Sequence, residues 1–150
     1  MIYLYNYAKQ PWKAQYHARN VMDKLYDYTE NGYPGDEDQG QTSSWYVLSA
    51  LGFYSVCPGT DQYVLGSPVF KKTTITLENG NKFVINAPKN DKDHVYIEAA
   101  SLNGQNYTKN FITYDDILTG GTFDLKMSTS PNKERGTGER DKPFSLSAKK

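Results

Sequence analysis

Small and apolar positions recur at helical spacing early in the chain, at Ala14, Ala18, Val21, Met22 and Leu25, and predict a helix that packs along one face. Pro11 is favoured in a first helical turn and sets its start, while Asn31-Gly32 supplies a stop. Tyr33-Pro34-Gly35 then turns the chain into an acidic loop. A second, shorter helix runs through Ser43, Ser44, Trp45, Leu48 and Leu51 and ends at Gly52. It is apolar on most faces and so is expected to be buried.

After Pro58-Gly59 the hydrophobic period changes from helical to alternating, which puts a boundary near residue 60. Alternating runs at 73–77 and 82–85 flank Asn79-Gly80, the strongest short hairpin signal in the sequence. The run at 95–99 leads to another turn at Asn103-Gly104. Gly120-Gly121 precedes a stretch in which Phe123, Leu125 and Met127 share one face and Asp124 and Lys126 the other. These patterns predict an α+β chain in three parts: helices and acidic loop over 1–59, an antiparallel, sandwich-like β region over 60–128, and a polar tail over 129–150. The tail, charged through Lys133-Glu134-Arg135 and Glu139-Arg140-Asp141-Lys142, is expected to lie on the surface or to lack fixed structure. Two short helices cannot enclose a core by themselves, so the first part reads as a portion of a larger helical domain.

Charge and composition remove several function classes. Seventeen basic and seventeen acidic residues cancel, and no basic stripe is present to track a phosphate backbone, which argues against nucleic acid as a partner. No apolar run approaches the roughly 18 residues of a membrane span, and Tyr3-Leu4-Tyr5-Asn6 lacks the apolar core of a signal peptide. The single Cys57, expected to be a small buried residue, excludes an internal disulfide. It leaves secreted, periplasmic and cytoplasmic locations open. Aromatic residues crowd Tyr3, Tyr5, Tyr7, Trp12 and Tyr16, a surface expected to be covered by further protein.

The densest candidate chemistry is Gly35-Asp36-Glu37-Asp38-Gln39-Gly40, three consecutive acids with glycines at both ends. In water such a loop is a solvated turn with acids complementing a helix dipole. Held in a buried setting, the same acids would differ in proton affinity or share a cation or a water. Asp36 and Asp38 alternate as calcium ligands do, but the third ligand and the terminal bidentate acid of an EF-hand loop are missing. His17 and His94 have no partner at zinc-binding spacing. Neither a Gly-x-Ser-x-Gly elbow nor a phosphate-cradling glycine loop occurs.

The stretch from Gly35-Asp36-Glu37-Asp38-Gln39-Gly40 through Gln41-Thr42-Ser43-Ser44-Trp45, Leu51-Gly52-Phe53-Tyr54 and Cys57-Pro58-Gly59 closely resembles the last catalytic motif of family 92 glycoside hydrolases. Gly66-Ser67-Pro68-Val69-Phe70 and the opening Tyr3-Leu4-Tyr5-Asn6-Tyr7 with Gln10-Pro11-Trp12 extend the match. The resemblance implies an exo-acting, inverting, calcium-dependent α-mannosidase, with α-1,2-linked terminal mannose on glycans as the expected substrate. It implies an N-terminal β-sandwich domain and an (α/α)6 catalytic barrel, of which this chain would hold the end, partnered by the N-terminal part of the same enzyme.

By the same resemblance Asp38 is the first choice for the general base, with Asp36 orienting the water or sharing the role, and Glu37 directed toward structure. No residue here is assigned to the metal. The family's general acid, and an acid- and histidine-containing segment, would precede Met1-Ile2, so the chain alone is expected to be inactive. Thr42 stands where the family commonly has Met, a departure expected to touch loop packing and not the carboxylates. The alternative is a non-catalytic carbohydrate-binding or structural accessory β-sandwich domain.

Overall fold

The computed structural model describes residues 1–148. A 3-10 turn at Ile2–Asn6 leads into helix α1, Pro11–Leu25, which begins where Pro11 predicts. Ala14, Ala18 and Met22 form its buried stripe, joined by Gln15 and Arg19; Val21 is half-buried and Leu25 exposed. The buried polar residues act as pins. Ile97 N–H donates to Gln15 Oε1 at 2.9 Å, while the Arg19 guanidinium donates to Pro68 O, Asn90 Oδ1 and Asp91 O. Asn6 Nδ2 donates to Leu65 O at 3.1 Å, and the Tyr3 hydroxyl donates to Ser49 Oγ at 2.8 Å. The N-terminal turn is thereby tied to the rest of the fold.

Helix α2, Gln41–Leu51, ends on Gly52, whose φ of 108° is the left-handed conformation that closes a helix. Here one expectation is corrected. Only Ser49 and Ala50 of α2 are buried, and Tyr46 and Val47 are exposed, because nothing among the described residues packs on the helix's outer side. Cys57 is also half-buried where burial was expected, since it lies in the loop after α2. Of the N-terminal aromatics, Tyr3 is buried within this chain, Tyr16 is exposed, and Tyr5, Tyr7 and Trp12 lie between.

Strands β1 (Phe53–Tyr54), β2 (Gln62–Leu65) and β7 (Phe111–Thr113) make a three-stranded antiparallel sheet in the order β1-β2-β7. The second sheet orders β3 (Lys72–Thr76), β4 (Lys82–Asn86), β8 (Gly121–Ser128), β5 (Tyr96–Leu102) and β6 (Gln105–Asn106) as β3-β4-β8-β5-β6. Both expected turns close antiparallel hairpins, β3 with β4 and β5 with β6. The β region is not antiparallel throughout. β4 and β8 pair in parallel, Phe83 opposite Gly121 and Asn86 opposite Asp124, because β5 to β7 intervene and bring the chain back in the same direction. The chain is therefore α+β, with one mixed and one antiparallel sheet.

Alternation on β8 buries Phe123, Leu125 and Met127 as read from the sequence. They join Phe83, Ile85 and Ile97 of the same sheet and Phe53, Leu65 and Ile112 of the other in a single core. A short helix α3, Tyr114–Thr119, adds Ile117 and starts on a capping box between Thr113 and Asp116. The tail is neither wholly superficial nor shapeless as far as residue 148. Arg135 is buried, donating to Asn110 Oδ1 and to the carbonyls of Tyr107 and Lys109, because the loop before β7 presents these acceptors to it.

Candidate active-site loop

The three acids lie between the end of α1 and the start of α2. Their backbone is unusual. Asp38 (φ 53°), Gln39 (φ 57°) and Gly40 (φ 94°) are left-handed in succession, a conformation costing a non-glycine residue roughly 1–2 kcal/mol and least unfavourable for Asp or Asn. The turn is closed by Gln41 N–H donating to Asp38 O at 3.2 Å and by Thr42 N–H donating to Glu37 O at 3.1 Å. The Thr42 hydroxyl donates to Asp36 O at 3.0 Å, which ties the start of α2 back to the loop.

Glu37 has a different role from its neighbours. Its carboxylate accepts from the backbone N–H groups of Gly40 and Ser43, two of the amides a helix start leaves unpaired. The Ser43 hydroxyl, then the Gly40 and Ser43 amides, hold its pKa below the usual glutamate value. Glu37 thus anchors the strained turn to α2, in keeping with the structural role expected for it. Asp36 and Asp38 are exposed, and among the described residues neither carboxylate receives a hydrogen bond. This chain does not itself supply the burial that a functional acid pair was expected to need.

Beside the loop lies a cleft of about 510 Å³ whose walls include Tyr26, Tyr33, Ser43, Tyr46 and Val47. Ser43 belongs to both features. Tyr26 stacks on Trp45 with ring centroids 5.7 Å apart, lies 4.8 Å from Tyr46, and donates weakly to Thr42 O at 3.4 Å. Such a surface matches the face of a pyranose, apolar on its C–H side and polar at its edges. From the sequence Tyr33 marks only a turn, and Tyr26 and Tyr46 carry no signal that would single them out.

The remaining candidates sit elsewhere. His17 stacks on Tyr5 at 5.4 Å and meets Tyr16 edge-on. His94 pairs with Asp91 through Nδ1 at 2.8 Å. Among the described residues no group of three or more His, Cys, Asp or Glu side chains is placed to hold a metal. Calcium takes six to eight oxygen ligands. With Glu37 committed to backbone amides, Asp36 and Asp38 fall well short of that shell, so the described residues do not by themselves build a calcium site. No helix among the described residues is long and apolar enough to cross a membrane.

The comparisons with known proteins agree with this architecture. A family GH92 inverting mannosidase from Bacteroides thetaiotaomicron superposes with a TM-score of 0.93 at 55% identity, covering 97% of this chain and 20% of its own. A family GH92 α-mannosidase from the same organism superposes at 0.91 with 36% identity, covering 97% and 20%. An uncharacterized secreted glycosidase of Arthroderma benhamiae is 32% identical over 149 residues, which are 97% of this chain and 19% of that protein. The chain thus spans about a fifth of the length of these relatives. Residues 1–129 match the glycosyl hydrolase family 92 catalytic domain, and the chain belongs to that family.

Proposed function

We propose that this chain forms the general-base side of the active site in an exo-acting, inverting α-mannosidase that removes terminal mannose from glycans, with α-1,2 linkages as the preferred target. The observation that carries the reading is Asp38: a carboxylate with no hydrogen-bond partner among the described residues, on a left-handed turn that Glu37 fastens to the start of α2. Strain held by a well-anchored turn is typical of positions selected for what a side chain does.

In this reading a water lies between the Asp38 carboxylate and the anomeric carbon. Asp38 takes a proton from the water while the water's oxygen bonds to that carbon, on the face opposite the departing oxygen. The glycosidic bond breaks, and the leaving oxygen takes its proton from a carboxylic acid outside this chain, roughly 6.5–9.5 Å from the base. Asp36 orients the water. The tyrosine cleft offers a face for sugar beyond the reacting centre.

With only one of the two acid–base partners present, the isolated chain is expected to release no mannose. Calcium is proposed as a requirement of the whole enzyme, with its ligands lying outside this chain. Chelation should then abolish turnover of the whole enzyme and leave the melting temperature of the isolated chain unmoved. The direct test of the reaction is proton NMR of an α-mannobiose digest by the full-length enzyme. β-Mannose should appear first and mutarotate afterwards; α-mannose as the initial product would refute inversion and the water-activating base with it.

A further inference from the structure

A second cleft, of about 460 Å³, opens between α1 and the start of β5 and shares no lining residue with the tyrosine cleft beside the acidic loop. Along α1 its wall is Tyr16, Arg19, Asn20 and Asp23, positions three and four apart that fall on one helical face. Opposite stand Lys92, Asp93 and Tyr96. The rings of Tyr16 and Tyr96 are nearly parallel, 10° between planes with centroids 6.5 Å apart, and Tyr16 is 46% exposed. The cleft therefore combines aromatic faces with side-chain amide, carboxylate and ammonium groups.

Its walls are preformed. Ile97 N–H to Gln15 fixes α1 against β5, and Arg19 bridges Pro68 O at 2.7 Å, Asn90 Oδ1 at 2.8 Å and Asp91 O at 3.1 Å. Asp91 in turn accepts from the amides of Asp93 and His94, holding the loop that forms the far wall. Arg19 is only 6% exposed, yet its Nε–H has no acceptor among the described residues. That nitrogen is itself closed off from solvent, so Arg19 braces the wall of the cleft and leaves contact with a bound molecule to the side chains around it.

The balance of charge selects the ligand class. Arg19 and Lys92 are matched by Asp23 and Asp93, so the lining favours neither an anion nor a cation, and the described residues gather no metal cluster there. What fits is a neutral, hydroxyl-rich ring with an apolar face. We infer that this cleft is a second sugar-binding site, separate from the acidic loop, that holds another residue of the glycan. Only the choice of mannose as that sugar rests on the proposed function; the geometry stands without it.

The test is a titration of the isotopically labelled 150-residue chain with methyl α-mannoside and, separately, methyl α-glucoside, followed by amide chemical shifts. Saturable shifts should centre on Tyr16, Asn20, Asp23 and Tyr96. Tyr16→Ala and, independently, Asp23→Asn should each weaken binding about tenfold with the remaining spectrum preserved. Asp38→Asn should leave these shifts intact, even if it abolishes turnover of the whole enzyme, which separates this site from the catalytic reading. A preference for the glucoside would keep the site and overturn mannose as its sugar. Absence of saturable shifts in this cleft, or unaltered affinity in both cleft variants, would overturn the site itself.

Discussion

The Ser43 backbone N–H donates to the Glu37 carboxylate across 3.2 Å, making the middle acid of the loop a cap on α2 while the carboxylates on either side have no hydrogen-bond partner among the described residues. The relationship separates three chemically similar residues by what each touches. It also has a pH signature. The folded-state pKa of Glu37 lies below its ordinary value of 4.5, so the unfolded chain binds more protons in that range. Its contribution is present above pH 4.5 and lost as pH falls through the folded value. Glu37→Gln should lower stability at neutral pH and flatten the acid limb, as read from urea melts between neutral pH and the acid transition. An unchanged acid limb would remove Glu37 from the cap.

Two tyrosines, Tyr3 buried and Tyr107 half-buried, govern the alkaline side. Tyr3 donates to Ser49 Oγ at 2.8 Å and Tyr107 to Phe111 O at 2.8 Å, and burial is the main cause raising both pKa values above 10. Groups with raised pKa stabilise fully below the unfolded value, so stability should decline as pH climbs past 10. Tyr3→Phe should cost about 1 kcal/mol at neutral pH by leaving the Ser49 hydroxyl unpaired. It should also lose less than the parent on going to high pH, which paired denaturant melts would show.

Arg135 makes the tail part of the fold. Its guanidinium donates to Asn110 Oδ1 at 3.3 Å and to the carbonyls of Tyr107 and Lys109 at 3.2 Å each, on the segment that enters β7. Burial pushes its pKa down to about 10, still charged at neutral pH. Arg135→Ala leaves those acceptors without a donor and should destabilise the chain by about 2–4 kcal/mol, measured by equilibrium unfolding. A change below about 0.5 kcal/mol, the range of an ordinary surface substitution, would return the tail to the surface.

What could be read from the sequence was local. Pro11 and Gly52 carry helix-end chemistry, Asn79-Gly80 and Asn103-Gly104 carry turn chemistry, and Phe123, Leu125 and Met127 alternate; each marks its element without help from distant residues. The parallel β4–β8 pair was hidden because it joins segments far apart in sequence. Helix α3 was hidden because six residues are too few to show a period, although Thr113 and Asp116 hold the spacing of a capping box. Arg135 looked like one more charge in a polar run, and only its distant carbonyl partners make it a buried clamp.

The acidic loop divides the same way. Its residue types and their resemblance to a family motif were legible, and so was a structural role for Glu37. The left-handed backbone of Asp38 and Gln39 was not, since neither residue demands it; the bonds from Gln41 to Asp38 and from Thr42 to Glu37 impose it. The exposure of α2 was misread because apolar side chains announce that they will be covered without saying by what.

The base assignment to Asp38 is the centre of this account. The decisive measurement is kcat of the full-length enzyme carrying Asp38→Asn, with circular dichroism and melting temperature matched to the parent. Loss of a general base should reduce kcat by about 10²–10⁴-fold, with a smaller loss for Asp36→Asn. A correctly folded Asp38→Asn enzyme that turns over at the parent rate would contradict the assignment.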